Sequence, residues 1–387
     1  MPPAEPSQSV SFAHPFEYRP SIRAICGAGQ LGRLGELARE HGGPAGRRAL
    51  LVSDAGVVRA GISERARQAL VEAGWEPVLF AGVGQNPTTA DVEAAVQAAQ
   101  VGGGVDLIVG VGGGSALDCA KGANFVLSNG GPMEQYRGFG KAAKPMLPSI
   151  GVPTTAGTGS EAQSYALIAR ADTHEKMACG DLKARFACVI LDPLLCRSAP
   201  QTVRATAGID AVSHAVEALV TRTASPISRL YALEAWRLLD GAFEAVLQEG
   251  ATDEAWAAMQ WGSHLAGLAI EASMLGAAHA LANPLTAAYG TVHGAAVGLM
   301  LPHVVRFNAE AVGDLYSRLC PGGAAVLAER LEALRHSAGL PGRLQESGVE
   351  EDALPELARQ AAGQWTGTFN PRPVDEEALL SLYRQAF

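Results

Sequence analysis

Val105-Asp-Leu-Ile-Val-Gly-Val-Gly112-Gly113-Gly114-Ser115-Ala-Leu-Asp118 decides how this chain folds. Its apolar run is too short and too continuous for an amphipathic helix. It reads as a strand buried on both faces, the kind found inside a parallel sheet. Three consecutive glycines then lead directly into a helical pattern over 115–125, with Ser115 at the expected N-cap. Glycine lets a backbone approach an anion, and the unpaired N–H groups of the helix then point at it. The alternative is a tight turn without a ligand, although three glycines lose chain entropy that a plain turn need not lose.

The same strand-to-helix rhythm extends in both directions. Strands are expected over 48–54, 77–80, 148–152 and 185–191, with helices over 62–73 and 90–99 between them. Alternation of this kind predicts a Rossmann-like α/β unit, a parallel sheet covered by helices. After Pro200 the strand signals stop and long Ala/Leu-rich helical patterns follow over 201–222, 227–248 and 253–270. The expected division is therefore an α/β domain over 1–197 and an all-helical domain over 198–387, with the ligand cleft between them.

Composition narrows the function. The 387 residues are 48% hydrophobic and 18% charged, enough apolar content to bury more than one core. A formal charge of −9 and the absence of any Lys/Arg run argue against nucleic acid as the main partner, leaving room only for a local basic patch. Apolar runs fall well short of the ~20 residues that span a bilayer, so no membrane partner is expected. The polar, Pro/Ser-rich stretch 1–12 lacks a signal-peptide pattern, and the six cysteines form no CxxC pair. Together these predict a cytoplasmic protein.

Two glycine-rich segments compete for the phosphates of a nucleotide. Gly27-Ala-Gly29-Gln-Leu-Gly32 matches GxGxxG but follows a short, broken strand, in a chain holding 45 glycines. Gly112, Gly113 and Gly114 follow the cleanest strand. Asp54, at the end of another strand, suits the hydroxyls of an adenine ribose and would repel a 2′-phosphate, favouring NAD over NADP; it also suits an ordinary turn beside Gly56. Pro153-Thr-Thr-Ala-Gly-Thr-Gly-Ser-Glu161 supplies hydroxyls at a further strand end.

The helical half carries the chemistry. In Gly208-Ile-Asp210-Ala-Val-Ser-His214-Ala-Val-Glu217 an aspartate and a histidine lie one turn apart on one helix face among alanines and valines. Buried there unpaired they would be costly, so they pair with each other or hold something. Gly276-Ala-Ala-His279 and Thr291-Val-His293-Gly294 add two imidazoles in equally apolar surroundings. One carboxylate and three imidazoles suit a divalent cation, Fe²⁺ or Zn²⁺. His14, His41, His174, His264, His303 and His336 show no comparable grouping and read as structural or surface residues.

These motifs, with Asp118 and Lys121 following the triple glycine, resemble those of the iron-containing (group III) alcohol dehydrogenases over about residues 24–308. The resemblance implies a dehydroquinate synthase-like pair of domains and a metal held by Asp210, His214, His279 and His293. It implies cofactor contacts at Asp54, Asn86, Gly112, Gly113, Gly114, Ser115, Asp118, Thr154, Thr155, Thr158 and Lys176, and so takes the phosphates away from 27–32. It further implies hydride transfer between NAD(H) and a small alcohol, aldehyde or ketone whose oxygen a metal polarises, and a homodimer or larger assembly. One departure stands out. Where many members have His-x-x-x-His-Pro-Leu, this chain has His279-Ala-Leu-Ala-Asn283-Pro284-Leu, which puts a non-titrating amide near the nicotinamide. Other activities on the same scaffold include glycerol and maleylacetate reduction and a dehydroquinate synthase-like lyase reaction. The lyase site would need several cations for its phosphate and carboxylate, yet 238–300 contains no Lys or Arg. The rival from outside enzymology is a non-catalytic NAD-binding module, which would have no use for a metal.

Overall fold

The computed structural model describes residues 22–43 and 45–387, so the readings of 1–12 and of His14 lie outside the described residues. The strands are β1 Arg23–Cys26, β2 Arg48–Val52, β3 Glu76–Phe80, β4 Leu107–Gly112, β5 Gly138–Phe139, β6 Ser149–Pro153, β7 Tyr165–Ala169, β8 Lys176–Gly180 and β9 Cys188–Leu191. Between and after them run α1 Leu34–Gly42, α2 Ala55–Arg59, α3 Ile62–Glu72, α4 Thr89–Gln100, α5 Gly114–Asn129 and the single turn α6 Pro193–Cys196. The helical half comprises α7 Gln201–Val220, α8 Pro226–Leu247, α9 Asp253–Glu271, α10 Ala277–Tyr289, α11 His293–Val312, α12 Gly323–Ser337, α13 Leu354–Ala362 and α14 Glu376–Ala386.

Six strands form a parallel sheet in the order β1-β9-β6-β4-β2-β3. Successive residues of its central strands enter opposite layers. Leu51, Val109 and Ile150 pack with Leu34, Leu37 and Leu70 of α1 and α3. Leu50, Val52 and Ile108 pack with Val92 and Ala95 of α4 and Ala120 and Ala123 of α5. This double coverage is why the strands read as continuous apolar runs, each large side chain contributing about 1.5–3 kcal/mol by its burial. The register aligns Val52 with Gly110 and Gly112 with Pro153, so three strand ends open on one edge. Ligands of open parallel sheets bind outside that carboxyl edge.

Two features depart from the sequence reading, while the short strand expected before Gly27 is present. A second sheet, β5-β8-β7, was not expected; its strands are short and partly exposed and lack the apolar signature of the main sheet. The broken run before Gly27 is a true strand, pairing with β9 at the sheet edge. Ser115 is not the N-cap of α5. The helix starts at Gly114 with Gly113 as its cap and no side-chain cap bond, which leaves its first N–H groups uncapped by any side chain.

In the helical half α7 is enclosed by α8, α9 and α11. Ala211, Val212, Ala215, Val216 and Leu219 are fully buried around its circumference, as expected of a helix apolar on all sides. Among the described residues, no helix is long and apolar enough to cross a membrane.

Candidate metal centre and nucleotide cleft

Three helices bring the buried polar groups together. Asp210 and His214 lie one turn apart on α7, His279 is in the first turn of α10, and His293 is the first residue of α11. The close approach of α11 to α7 depends on Gly294, where a Cβ would stand 1.9 Å from the Thr206 carbonyl oxygen. Asp210 Oδ1 lies 3.5 Å from His214 Nε2, 3.6 Å from His279 Nε2 and 4.0 Å from His293 Nε2.

Those separations are too long for hydrogen bonds. They are near the roughly 3.4 Å between atoms that each contact a tetrahedral ion at about 2.1 Å. Asp210 Oδ1 and His279 Nε2 are buried with no hydrogen-bond partner among the described residues. Two inward-facing orphans of this kind, a carboxylate oxygen and an imidazole nitrogen, have the chemistry of a divalent-cation site. Asp210, His279 and His293 form the tight trio, with ligand atoms all within 4.8 Å of one another. His214 approaches through Asp210, its ring stacked on His279 at 5.0 Å and 20°.

Glu217 orients the centre, and the sequence reading gave it no role. Its Oε2 is 2.5 Å from His279 Nδ1 while its Oε1 accepts the Ala278 N–H at 2.7 Å. The donor nitrogen of His279 is thereby fixed at Nδ1, leaving Nε2 to face Asp210. The signal was available, because Asp210, His214 and Glu217 stand at i, i+4 and i+7 on one helical face. Burial opposes the His279 imidazolium, but the Glu217 and Asp210 carboxylates outweigh it and hold the group up at about 9. Burial likewise opposes the Asp210 carboxylate, and the three imidazoles outweigh it, keeping it below the usual carboxylate range. Burial lowers His214, and it lowers His293 strongly with help from the nearby Lys176 charge.

The glycine loop opens opposite this centre. Gly112 has φ 158°, and a Cβ there would meet Ala116 at 2.6 Å and Asp54 Oδ2 at 3.0 Å. Thr155 and Thr158 line Gly113 and Gly114, and the Thr154 N–H bonds the Gly112 carbonyl at 2.9 Å. Ser115 is in the first turn of α5. Asp54 Oδ1 caps α2 through the Gly56 and Val57 N–H groups, while Oδ2 faces Gly112. Its turn role and its place at the cleft therefore coexist. Asn86 is half-buried with φ 54°. Lys176, lowered by burial, has the charges of Asp210 and Asp118 near it and so spans the two halves of the site.

Asp118 is placed differently from the other cofactor candidates. Its carboxylate takes the Ser160 hydroxyl and the Leu167 N–H, with Lys121 Nζ at 3.8 Å. Both oxygens are engaged inside the protein, under the loop. Lys121 in turn donates to the carbonyls of Ser160 and Tyr165 at 2.6 and 2.7 Å. The rival GxGxxG turn is also occupied from within, since the Leu31 N–H points at Asp192 Oδ2 at 3.1 Å. A carboxylate already sits where a phosphate would go.

Helix α9 joins the halves behind the threonine loop. His264 Nδ1 meets Glu161 Oε1 at 3.1 Å, and Glu271 accepts from the Ser164 N–H at 3.0 Å and from Arg185. On α10, one turn beyond His279, Asn283 donates through Nδ2 to Gln364 Oε1 at 3.0 Å.

A glycine- and threonine-lined strand edge together with a buried carboxylate–imidazole cluster has the makings of a metal-dependent enzyme that takes a nucleotide. Comparison with known proteins carries this to a family. Residues 20–193 match the family model described as "Iron-containing alcohol dehydrogenase", and residues 204–387 match "Fe-containing alcohol dehydrogenase family, C-terminal". The 1,3-propanediol dehydrogenase of Klebsiella pneumoniae is 33% identical over 359 residues, covering 88% of this chain and 92% of its own. The NAD-dependent methanol dehydrogenase of Bacillus methanolicus is 30% identical over 375 residues, 94% of this chain and 97% of its own. A crystal structure of 1,3-propanediol oxidoreductase superposes with a TM-score of 0.91 at 31% identity, over 97% of this chain and 100% of that one. The chain belongs to the iron-containing alcohol dehydrogenase family.

Proposed function

We propose that this protein interconverts a small alcohol with its aldehyde or ketone, using NAD(H) and a divalent metal, Fe²⁺ or alternatively Zn²⁺. The observation that carries the reading is the pair of buried orphan atoms, Asp210 Oδ1 and His279 Nε2, facing each other across 3.6 Å with His293 beside them. Asp210, His214, His279 and His293 hold the metal, and Glu217 orients His279. Once bound, the metal supplies Lewis-acid polarisation of the substrate oxygen. Gly112, Gly113, Gly114 and Ser115 receive the pyrophosphate on the uncapped start of α5. Thr154, Thr155, Thr158, Asn86 and Lys176 place the rest of the cofactor, Asp54 Oδ2 takes the adenine ribose, and Asp118 supports the loop from beneath. Asn283 holds no transferable proton near neutral pH, so the proton leaves through solvent or the ribose hydroxyls.

Residues 1–197 and 198–387 act as cofactor and metal domains of one enzyme, which works in the cytoplasm as a homodimer or larger assembly. The acidic composition and six free thiols, most of them buried, support the location. The experiment is an alcohol and aldehyde panel with NAD(H) and NADP(H) after reconstitution with iron or zinc. Alongside it, His279→Ala is expected to lose bound metal and nearly all turnover while keeping its circular-dichroism spectrum. Full activity of that variant in metal-free buffer would overturn the assignment.

A further inference from the structure

Helix α10 borrows its cap. Gly276 stands at its N-cap position and has no side chain to offer. The first two N–H groups of the helix are taken from outside it, Ala277 by Asn370 Oδ1 at 3.2 Å and Ala278 by Glu217 Oε1 at 2.7 Å. The next residue is His279. A Cβ at position 276 would stand 2.9 Å from each of those oxygens, so the borrowed cap requires glycine there.

Asn370 comes from the C-terminal segment, 93 residues beyond Ala277, and is 1% exposed. Groups with a single hydrogen-bonding role fix its amide. The Ala277 N–H can only donate, which places Oδ1 there; the Arg372 carbonyl can only accept, which places Nδ2 there at 2.7 Å. What remains of both ends is used by Asn308 of α11, equally buried. Asn308 Nδ2 donates to Asn370 Oδ1 at 3.1 Å, and Asn370 Nδ2 donates to Asn308 Oδ1 at 2.7 Å. The neighbours of Asn370 add further ties. The Phe369 carbonyl accepts the Arg222 N–H, two residues past the end of α7, at 2.8 Å. Arg372 Nη1 donates to the Phe307 carbonyl of α11 at 3.0 Å, with its guanidinium 4.1 Å from the centre of the Phe307 ring. Residues 369–372 thus join α7, α10 and α11, the three helices that carry Asp210, His214, His279 and His293.

We infer that residues 369–372 are a clasp that pre-sets the metal centre, with Asn370 as its positioning residue. Asn370 acts through the first turn of α10, which holds His279 where Nε2 meets Asp210 Oδ1, and through α11, whose first residue is His293. Without the clasp the buried Ala277 N–H loses its acceptor, and the turn gains by leaving its place to find another. A ligand that spends only part of its time in position lowers metal affinity by that fraction. The clasp removes this loss by building the ligand geometry into the fold before the ion arrives.

This inference rests on the reading of Asp210, His214, His279 and His293 as metal ligands, and its test separates the two. Metal-free full-length protein is titrated with Zn²⁺ against a competing chelator, and with Co²⁺ while its visible absorption is recorded. The proteins compared are the natural one, Asn370→Leu, Asn308→Leu and Leu327→Ala. Leu327 is fully buried on α12, which carries none of these groups, so its truncation is a control for loss of stability alone. Asn370→Leu is expected to weaken Zn²⁺ binding about 10- to 100-fold. Asn308→Leu spares the bond to Ala277 and is expected to weaken it about fivefold, the worth of one hydrogen bond. The Co²⁺ bands follow ligand geometry; they should change in both asparagine variants and match the natural protein in Leu327→Ala. Losses no greater than that of Leu327→Ala, with an unchanged Co²⁺ spectrum, would overturn the inference while leaving the metal reading intact. Should Asn370→Leu fail to fold, Asn308→Leu decides by the same comparison. A natural protein that binds neither ion would overturn the metal reading, and the inference with it.

Discussion

Glu217 and His279 meet at 2.5 Å, carboxylate Oε2 to imidazole Nδ1, and the second oxygen of the same carboxylate takes the neighbouring Ala278 N–H at 2.7 Å. One side chain thus fixes both the tautomer of a ligand and the first turn of the helix that carries it. Glu217→Gln keeps the shape and removes the charge. It is expected to weaken metal affinity roughly 10- to 100-fold without unfolding the protein. Equilibrium dialysis against a chelator, read by metal analysis, measures this; affinity equal to that of the natural protein would show that Glu217 only packs.

Asp54 divides its two oxygens between local structure and the cleft. Asp54→Gly removes the negative charge at a small cost in capping, because glycine is itself a tolerated N-cap. Discrimination between NADH and NADPH in aldehyde reduction should fall by about tenfold, since a 2′-phosphate would no longer meet a carboxylate. Asp54→Ser, which keeps a capping oxygen, should behave alike. An unchanged cofactor ratio in both would remove Asp54 from cofactor recognition.

How far the sequence revealed this arrangement differed from element to element, for physical reasons. Leu50 to Val52 and Ile108 to Val109 are buried on both faces, so their apolar runs announced the parallel sheet without tertiary information. Asp210 and His214 stood out because their neighbours on α7 are alanine and valine. Glu217 stands in the same motif, but a second buried acid has no visible purpose until His279 arrives from α10. The second sheet stayed hidden because β5 has only two residues, both exposed, and its place depends on β8, some forty residues away. The internal role of Asp118 depends on Ser160 and Leu167, partners no local pattern identifies. The uncapped start of α5 likewise required the backbone of Gly113 and not the polarity of Ser115.

Gly294 permits the contact that sets His293 against Asp210. A Cβ there would lie 1.9 Å from the Thr206 oxygen and 3.3 Å from Asp210 Cβ, and a backbone carbonyl within a helix cannot turn aside. Gly294→Ala must therefore push α11 off α7. The expected cost is about 1–3 kcal/mol of stability, typical of overpacking, together with loss of bound metal as His293 moves away from the other ligands. Thermal unfolding of the metal-free protein isolates the packing part, and metal content after reconstitution measures the rest. A variant matching the natural protein in both would mean that the α7–α11 contact does not set the site.

His303 lies on α11, nearly three turns beyond His293, and provides a pH dependence independent of the metal centre. Burial, with the nearby Arg306 charge, lowers this imidazole from 6.5 to about 4. Between those values the unfolded chain binds a proton that the native ring refuses. Stability from this group is therefore complete above about pH 6.5 and is lost as pH falls towards 4. The full gap corresponds to about 3 kcal/mol, which screening at a partly exposed ring reduces to about 1–2 kcal/mol. His303→Gln keeps a polar side chain that does not titrate, so its urea midpoint should fall less between pH 7.5 and pH 5 than that of the natural protein. The comparison is best made on metal-free samples of both proteins, so that proton competition at the metal ligands is common to the two and cancels. Parallel midpoints across that range would assign the acid sensitivity of the fold to other groups and leave His303 a neutral packing residue at every pH tested.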